Sequence, residues 1–520
     1  MAIKIETFKN LYQDSVSLMQ ISAQIGKLPG VEQASVVMGT PANLVQLADA
    51  GLGDNVQASP NDLVIAVRGD EAACEEALRL AGERLSARAA SPEGQTSEAL
   101  VATSLAMACD EEAASNLALI SVPGDYAAAE AIKALQLGMN VMLFSDNVSM
   151  AHEKAIKTLA REKGLIVMGP DCGTAIVNGM PLGFANVVRR GGIGVVGASG
   201  TGLQEVTCRV DQLGAGISQA LGTGGHDLHE DIGGISMQFG LDALAEDPDT
   251  RVIVLISKPP ARAVAERILE RAQKAGKPVV VNFLGASEEE MRAPGITPAA
   301  TLADAAQFAV SLLNGTPMPA TLARVDPQDE AALAAKSEAL GARRKYVRGV
   351  FAGGTFCYES QLLCRAQGFE ASSNTPVKGN AKLADIWKSA GHTIVDMGDD
   401  DFTRGRPHPM IDPTLRDERV RAEMLDPETA VVLFDLVLGY GASSEPAQGL
   451  IATLAQVRAE APGRDLPLLI AHVCGTEADP QNRSRQIDAL REAGVLVAGC
   501  NAEAALWASR VARLQAQRHA

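Results

Sequence analysis

Two glycine-rich stretches hold the residue types that grip an anion. The first runs Gly192-Ile-Gly-Val-Val-Gly-Ala-Ser199-Gly200-Thr201-Gly202, the second Arg348-Gly-Val-Phe-Ala-Gly353-Gly354-Thr355. Each reads as a strand of small and β-branched residues that ends in glycine and runs into a helix. A helix start leaves its first backbone N–H groups unpaired and carries partial positive charge, so an anion can sit there when no bulky side chain intervenes. Ser199, Gly200, Thr201, Gly353, Gly354 and Thr355 are therefore candidate phosphate- or carboxylate-binding residues. The shared Gly-Thr ending predicts two helix starts facing one cleft. The plainer alternative is a pair of tight α/β connections.

The densest polar run is Asp399-Asp400-Asp401-Phe-Thr403-Arg404-Gly-Arg406-Pro407-His408-Pro409, continuing to Arg416. Its prolines stiffen the loop, so Arg406 and His408 are candidate catalytic residues held in place before a substrate arrives. Arginine's planar fork suits carboxylate, phosphate and carbamoyl oxygens. Alternatively, the arginines pair with the three aspartates. The segment from Cys474 to Gln486 follows a strand at its carboxyl end, where ligands of open α/β sheets bind. Thr476 is a candidate anion binder there and Arg483 a candidate catalytic residue, against helix capping by Asp479. His226, in a glycine loop, reads as a base or as an exposed ring, and Lys258 as an anion partner or a surface lysine. No Ser-His-Asp order, H-E-x-x-H, Walker A lysine or metal cluster is legible.

The elements that must position these groups follow from periodicity and turn chemistry. Residues 2–11, 31–38 and 61–68 read as strands, with helices at 14–27, after Pro41, and at 70–88, a small α+β unit. The stretch 91–97 reads as linker by composition. Strands at 117–122, 141–145 and 165–168 alternate with helices, as in a parallel doubly wound sheet. From Gly192 the pattern restarts with strands at 216–221, 252–257 and 278–284 and a helix at 302–313. Residues 316–345 read as a connector, and from Tyr346 the order repeats with strands at 348–352, 393–397, 430–436, 467–473 and 495–498. The second half is thus a copy of the module before it, and tandem copies packed about a pseudo-twofold would bring both glycine turns to a shared cleft. The division expected is 1–100, 101–190, 191–320 and 346–520.

At 520 residues the chain is long enough for about three or four domains. Hydrophobic residues make up 47% but aromatics only 3%, which suits layered α/β packing of small aliphatics. A formal net charge of −17 repels polyanions and argues against nucleic acid or an anionic membrane as partner. The eight cysteines, with no C-x-x-C pair, read as thiols of a reducing compartment and not as a disulfide framework or zinc site. No signal-peptide core and no apolar run of membrane-spanning length is legible, so a cytoplasmic location is expected.

The segments Ser121-Val-Pro-Gly-Asp-Tyr-Ala-Ala-Ala-Glu130, Gly169-Pro-Asp-Cys-Gly173 and Gly197-Ala-Ser-Gly-Thr201 resemble the α subunit of succinyl-CoA synthetase. The module from Gly349 resembles that enzyme's β-subunit CoA-ligase domain. The resemblance implies a Rossmann-like CoA-binding-type domain at 101–190 and two tandem flavodoxin-like, ligase-type domains. In that family two facing helices hold a phosphohistidine, with Ser199-Gly200-Thr201 on the phosphate site. Over most of the chain, Gln13–Met19, Met38–Asn43, Val141–Asn147, Met168–Thr174 and Gly405–Arg416 resemble the FdrA family, often labelled acyl-CoA synthetase. That resemblance implies a subunit of oxamate carbamoyltransferase in allantoin catabolism, an oligomer with partner subunits, acting on a small anionic substrate and phosphate. This sequence departs from succinyl-CoA synthetase in three ways. No glycine occurs around Ser104–Asp110, where a CoA-phosphate turn is expected. No histidine occurs from Gly285 to Thr301, and no ATP-grasp domain is legible. CoA is thus a possible ligand that the missing turn argues against, and CoA ligation or a non-catalytic scaffold are the competing readings.

Overall fold

The computed structural model describes residues 2–11, 13–53, 56–89, 104–111, 114–404 and 406–518. The linker expected at 91–97 lies outside the described residues. At the N-terminal end, strands Ala2–Phe8, Val31–Met38 and Leu63–Gly69 form an antiparallel sheet with the last in the middle. Helices Ser15–Gly26, Pro41–Asp49 and Glu71–Ala89 join and cover it. Asp14 and Thr40 cap the first two, each accepting a first-turn N–H, and Pro41 sits where its missing donor costs nothing.

Three parallel strands follow, Leu117–Ile120, Asn140–Leu143 and Val167–Met168, in consecutive order. Their helix Gly124–Gln136 buries an alanine face, Ala127, Ala131 and Ala134, so helix and sheet approach closely.

The largest sheet has seven strands. Its parallel part runs Ile296–Pro298, Val279–Phe283, Val252–Ser257, Arg190–Ala198, Ile217–Gly222. A hairpin, Thr174–Val177 and Met180–Gly183, is added antiparallel at the edge. The sheets therefore divide near residue 170, not near 190 as expected. The hairpin turns on Asn178 and Gly179, both at positive φ, the pair that two-residue hairpins favour.

The last sheet is wholly parallel, in the order Thr393–Asp396, Tyr346–Phe351, Thr429–Val437, Leu468–Cys474, Leu496–Ala498. Numbered within each module, both parallel sheets run 2-1-3-4-5, the flavodoxin-like order. The duplication expected from the sequence is present in topology. The terminal helices Leu302–Asn314 and Asn501–Arg518 pack on the helices that begin at the two glycine turns, Gly200–Gln212 and Gly354–Ala366.

One hydrophobic core runs through both modules, joining Leu203, Val206 and Ile256 to Phe351, Phe356 and Ala505. Segment 184–187 laces them together: Asn186 Nδ2 and Val187 N–H donate to the Asp479 carboxylate at 2.8 and 2.7 Å. The stretch read as a connector contains helix Pro327–Glu338, capped by Asp326 and held on the C-terminal helix by Gln515 and Arg510. Its alanine- and charge-rich composition carries no clear apolar stripe, and only Leu333 and Ser337 are buried on it. Among the described residues no helix is long and apolar enough to cross a membrane.

Candidate functional site

Both glycine turns lie at a switch point, where the strand order reverses and a crevice opens past the carboxyl ends of the strands. Ser199, at the end of strand Arg190–Ala198, caps its helix by accepting the Gly202 N–H. Its hydroxyl also lies 2.5 Å from that of Thr355, in the first turn of the other helix. The Thr355 N–H reaches the Thr201 hydroxyl at 3.4 Å. The two helix starts therefore abut. A Cβ on Gly353 would come within 3.1 Å of the Thr201 methyl, so glycine is what lets the backbones meet.

The pair is not symmetric. Asp435, in the middle strand, accepts the N–H groups of Ala352 and Gly353 at 2.7 Å each. Asp396, at the end of strand Thr393–Asp396, places its Oδ2 only 2.5 Å from where a Gly354 Cβ would be. The second helix start is thus already faced by two carboxylates. The first is open: Gly200 is exposed, Thr201 half-buried, and helix geometry gives their N–H groups no intrahelical partner.

Burial raises Asp396 to about 7, against the pull of the Lys258 ammonium. Asp435 is also raised by burial, offset by the two backbone N–H groups. Asp171, in the loop after Val167–Met168, has an exposed side chain but sits among protein atoms dense enough to raise it, by desolvation first and then by the Asp146 charge. The Lys258 charge lowers both Asp171 and Asp396, which belong to different sheets. A carboxyl that titrates near 7 can give or take a proton at neutral pH, the property a general acid or base needs. Lys258 was legible in the sequence; Asp171 and Asp396 were not singled out. The signal was there: Asp396 closes a strand and Asp171 lies in the loop just past one, at the end where ligands bind.

His408 is half-buried beside this second turn. Its Nε2 and the Ala352 carbonyl both crowd Gly398, at 2.5 and 2.6 Å from where a Cβ would stand. The Met410 N–H donates to its Nδ1 at 3.2 Å, which puts the ring proton on Nε2. Burial pushes the imidazole down to about 4, so at neutral pH it offers a neutral N–H and carries no positive charge. Arg406 is exposed, its guanidinium 5.9 Å above the Trp387 ring. Among the described residues no ion pair ties Arg404 or Arg406 to the three aspartates.

The structure does not bring the other two candidates to this crevice. Thr476 is fully buried, donating its N–H to Asp479 and its hydroxyl to the Val187 carbonyl at 2.6 Å; it offers nothing to a ligand. Arg483 donates Nε–H to the Val473 carbonyl at 3.0 Å, and its charge acts on Glu205, Cys208 and Cys474 inside the module interface. His226 sits 3.5 Å from the Glu153 carboxylate, whose hydrogen bond raises its pKa.

Comparison with known proteins matches three family models: "AllF, heavy metal-associated domain" over residues 1–102, "CoA binding domain" over 189–285 and "CoA-ligase" over 350–511. The CoA-binding model thus falls on the first glycine-turn module, outside the 101–190 span expected for it. The metal in the first description finds no ligand set in its own span. Residues 1–102 hold no histidine and a single cysteine, Cys74, fully buried and directed at the carbonyls of Ala2 and Val67. A thiolate pair or imidazole would be needed.

The α-2 subunit of succinate–CoA ligase from Trichomonas vaginalis is 32% identical over 184 residues, 33% of this chain and 57% of that one. This chain therefore spans just over half of such a subunit. A dinucleotide-forming acetyl-coenzyme A synthetase from Ca. Korarchaeum cryptofilum superposes only loosely, with a TM-score of 0.28 at 16% identity, over 78% of this chain and 84% of that one. YahF of Escherichia coli K12 is 45% identical over 524 residues, 98% of each chain. A match over 98% of both chains, from the AllF-type domain through the CoA-ligase-type module, places the whole chain, which belongs to the FdrA/AllF family of succinyl-CoA synthetase-like proteins.

Proposed function

We propose that this chain is a subunit of a carbamoyltransferase that interconverts oxalurate plus phosphate with oxamate plus carbamoyl phosphate. The observation that supports it most is one open helix start, Gly200–Thr201, abutting a second whose carboxyl group Asp396 titrates near 7, in a chain with no histidine from Gly285 to Thr301. Phosphoryl relay through a histidine in that segment has no residue to use. Direct attack by phosphate needs only positioning, charge and one proton.

In this reading a phosphate oxygen attacks the carbamoyl carbon and the bond to the oxamate nitrogen breaks. That nitrogen takes the proton held on Asp396. The Gly200 and Thr201 N–H groups hold phosphate oxygens, the His408 Nε2–H donates to the developing oxyanion, and Arg406 clamps the substrate carboxylate. The crevice is acidic overall, so further cations come from partner subunits. The assembled complex is accordingly the unit to assay. Co-purified subunits given carbamoyl phosphate and oxamate should release phosphate only when oxamate is present. No oxamate-dependent release, with activity instead on CoA, ATP and an organic acid, would overturn the reading. That second reading, an acyl-CoA synthetase subunit, draws on the CoA-binding and CoA-ligase matches.

A further inference from the structure

Away from the crevice, deep between the two modules, three metal-ligating side chains converge, Glu205, His472 and Cys474, with a fourth, Cys208, beside them. Helix Gly200–Gln212 contributes Glu205 and Cys208, three residues apart and so on one face. Strand Leu468–Cys474 contributes His472 and Cys474, two apart and so on one side of the sheet. Glu205, His472, Cys208 and Cys474 are all at least 98% buried. Ligand atoms of Glu205, His472 and Cys474 lie within 4.8 Å of one another; the Cys208 thiol neighbours Cys474 but stands outside that group.

Such a cluster has a plain alternative, a His–Glu pair pinning two modules, since His472 Nε2 lies 2.7 Å from Glu205 Oε2. That pair leaves polar atoms stranded. Glu205 Oε1 and His472 Nδ1 are both buried without a hydrogen-bond partner, a cost that folded proteins ordinarily avoid. We propose that Glu205, His472 and Cys474 hold one zinc ion that staples the two ligase-type modules together, with the neighbouring Cys208 thiol turning in as the fourth ligand.

The donor set argues for zinc. Two sulfurs, one imidazole and one carboxylate in a closed four-coordinate site suit its tetrahedral preference. Charge balances as well. Zinc enters as the two thiols release their protons to solvent, so the net charge beside the neighbouring Arg209 and Arg483 does not change. The distance from Glu205 back to Ser199 is under two helical turns, so the ion would fix the helix that bears the open glycine turn. Cys208 and Cys474 lie in different modules, so no sequence spacing announces the site, and the expectation that the cysteines hold no zinc is revised here.

The full chain, expressed with zinc in the medium and purified without chelator, should carry about one zinc per chain by elemental analysis. X-ray absorption should show two sulfurs and two lighter ligands around it. Cys208→Ser/Cys474→Ser should lose bound zinc by about tenfold or more, while Cys74→Ser in the N-terminal domain should keep it. Another soft divalent ion in the same sulfur-containing shell would also support the site. No metal after refolding in zinc, a shell without sulfur, loss of metal in Cys74→Ser, or a Cys208–Cys474 disulfide in the metal-free chain would each overturn it.

Discussion

Asp396 is where the chemistry of a single residue decides most. Its carboxyl is buried at the strand end, over a helix start that favours the charged form, yet burial wins and raises it to about 7. Between about 4 and about 7 the folded chain holds a proton here that the unfolded chain has released. This group's contribution to stability therefore falls as pH rises across that window. Activity should follow the same proton. If the protonated form feeds the leaving nitrogen, phosphorolysis by the assembled complex falls as pH rises through about 7. Asp396→Asn should cut turnover by about 10²-fold or more and flatten that limb, without loss of fold. A variant with normal turnover and an unchanged pH profile would remove Asp396 from the mechanism. Arg406→Ala tests the clamp in the same assay, with about 10²-fold loss expected. Arg406→Lys should rescue poorly, because a point charge cannot replace a planar fork. Full activity in Arg406→Ala would make the Trp387 contact its whole role.

At the scale of elements, the joined helix starts invite a direct measurement. Ser199 and Thr355 share a buried 2.5 Å hydrogen bond, so removing either hydroxyl strands the other. Each single change, Ser199→Ala or Thr355→Val, should cost about 1–3 kcal/mol in chemical denaturation. Ser199→Ala falls at the upper end, since its oxygen also caps Gly202. The double variant should cost less than the sum by about 1 kcal/mol; strict additivity would mean the hydroxyls do not communicate. Much of this geometry was legible. Strands Val31–Met38 and Val252–Ser257 fall where alternation and β-branching put them, and the repeated Gly-Thr turns foretold the contact. The features not legible in the sequence depend on tertiary partners. Helix Pro327–Glu338 has no clear apolar stripe of its own, and Thr476 looked like a ligand residue until Val187 and Asp479 closed on it. Asp435 and Asp396 reach the second turn from other strands, and no local pattern announces which carboxylate will cross a sheet.

At the scale of the whole molecule, one lysine docks the three-stranded domain onto its neighbour. Lys157, wholly buried on helix Met150–Glu162, contacts Glu153 at 2.7 Å, Asp227 at 2.8 Å and the Thr223 carbonyl at 2.8 Å. Asp227 in turn caps helix Ile235–Glu246 by accepting the N–H groups of Ser236 and Met237. One ammonium thus ties a helix of one domain to a strand-end loop and a helix start of the next. Taking away one partner of such a network leaves the others charged and buried, at a cost of about 3–5 kcal/mol. Lys157→Met, which keeps the length of the side chain, should therefore lower the melting temperature. Amide exchange should quicken first in helix Met150–Glu162 and in the loop through Asp227. The second ligase-type module shares no part of the network and should keep its protection, so the loss is local before it is global. In the assembled complex, turnover should fall even well below the melting point, because Asp171 reaches the crevice from the domain that Lys157 anchors. Unchanged melting and exchange would mean that His226, 3.5 Å from Glu153, takes over the charge. In that case Lys157→Met/His226→Ala should reveal the full cost, and a double variant as stable as the parent would show that the domains are held by their apolar contacts alone.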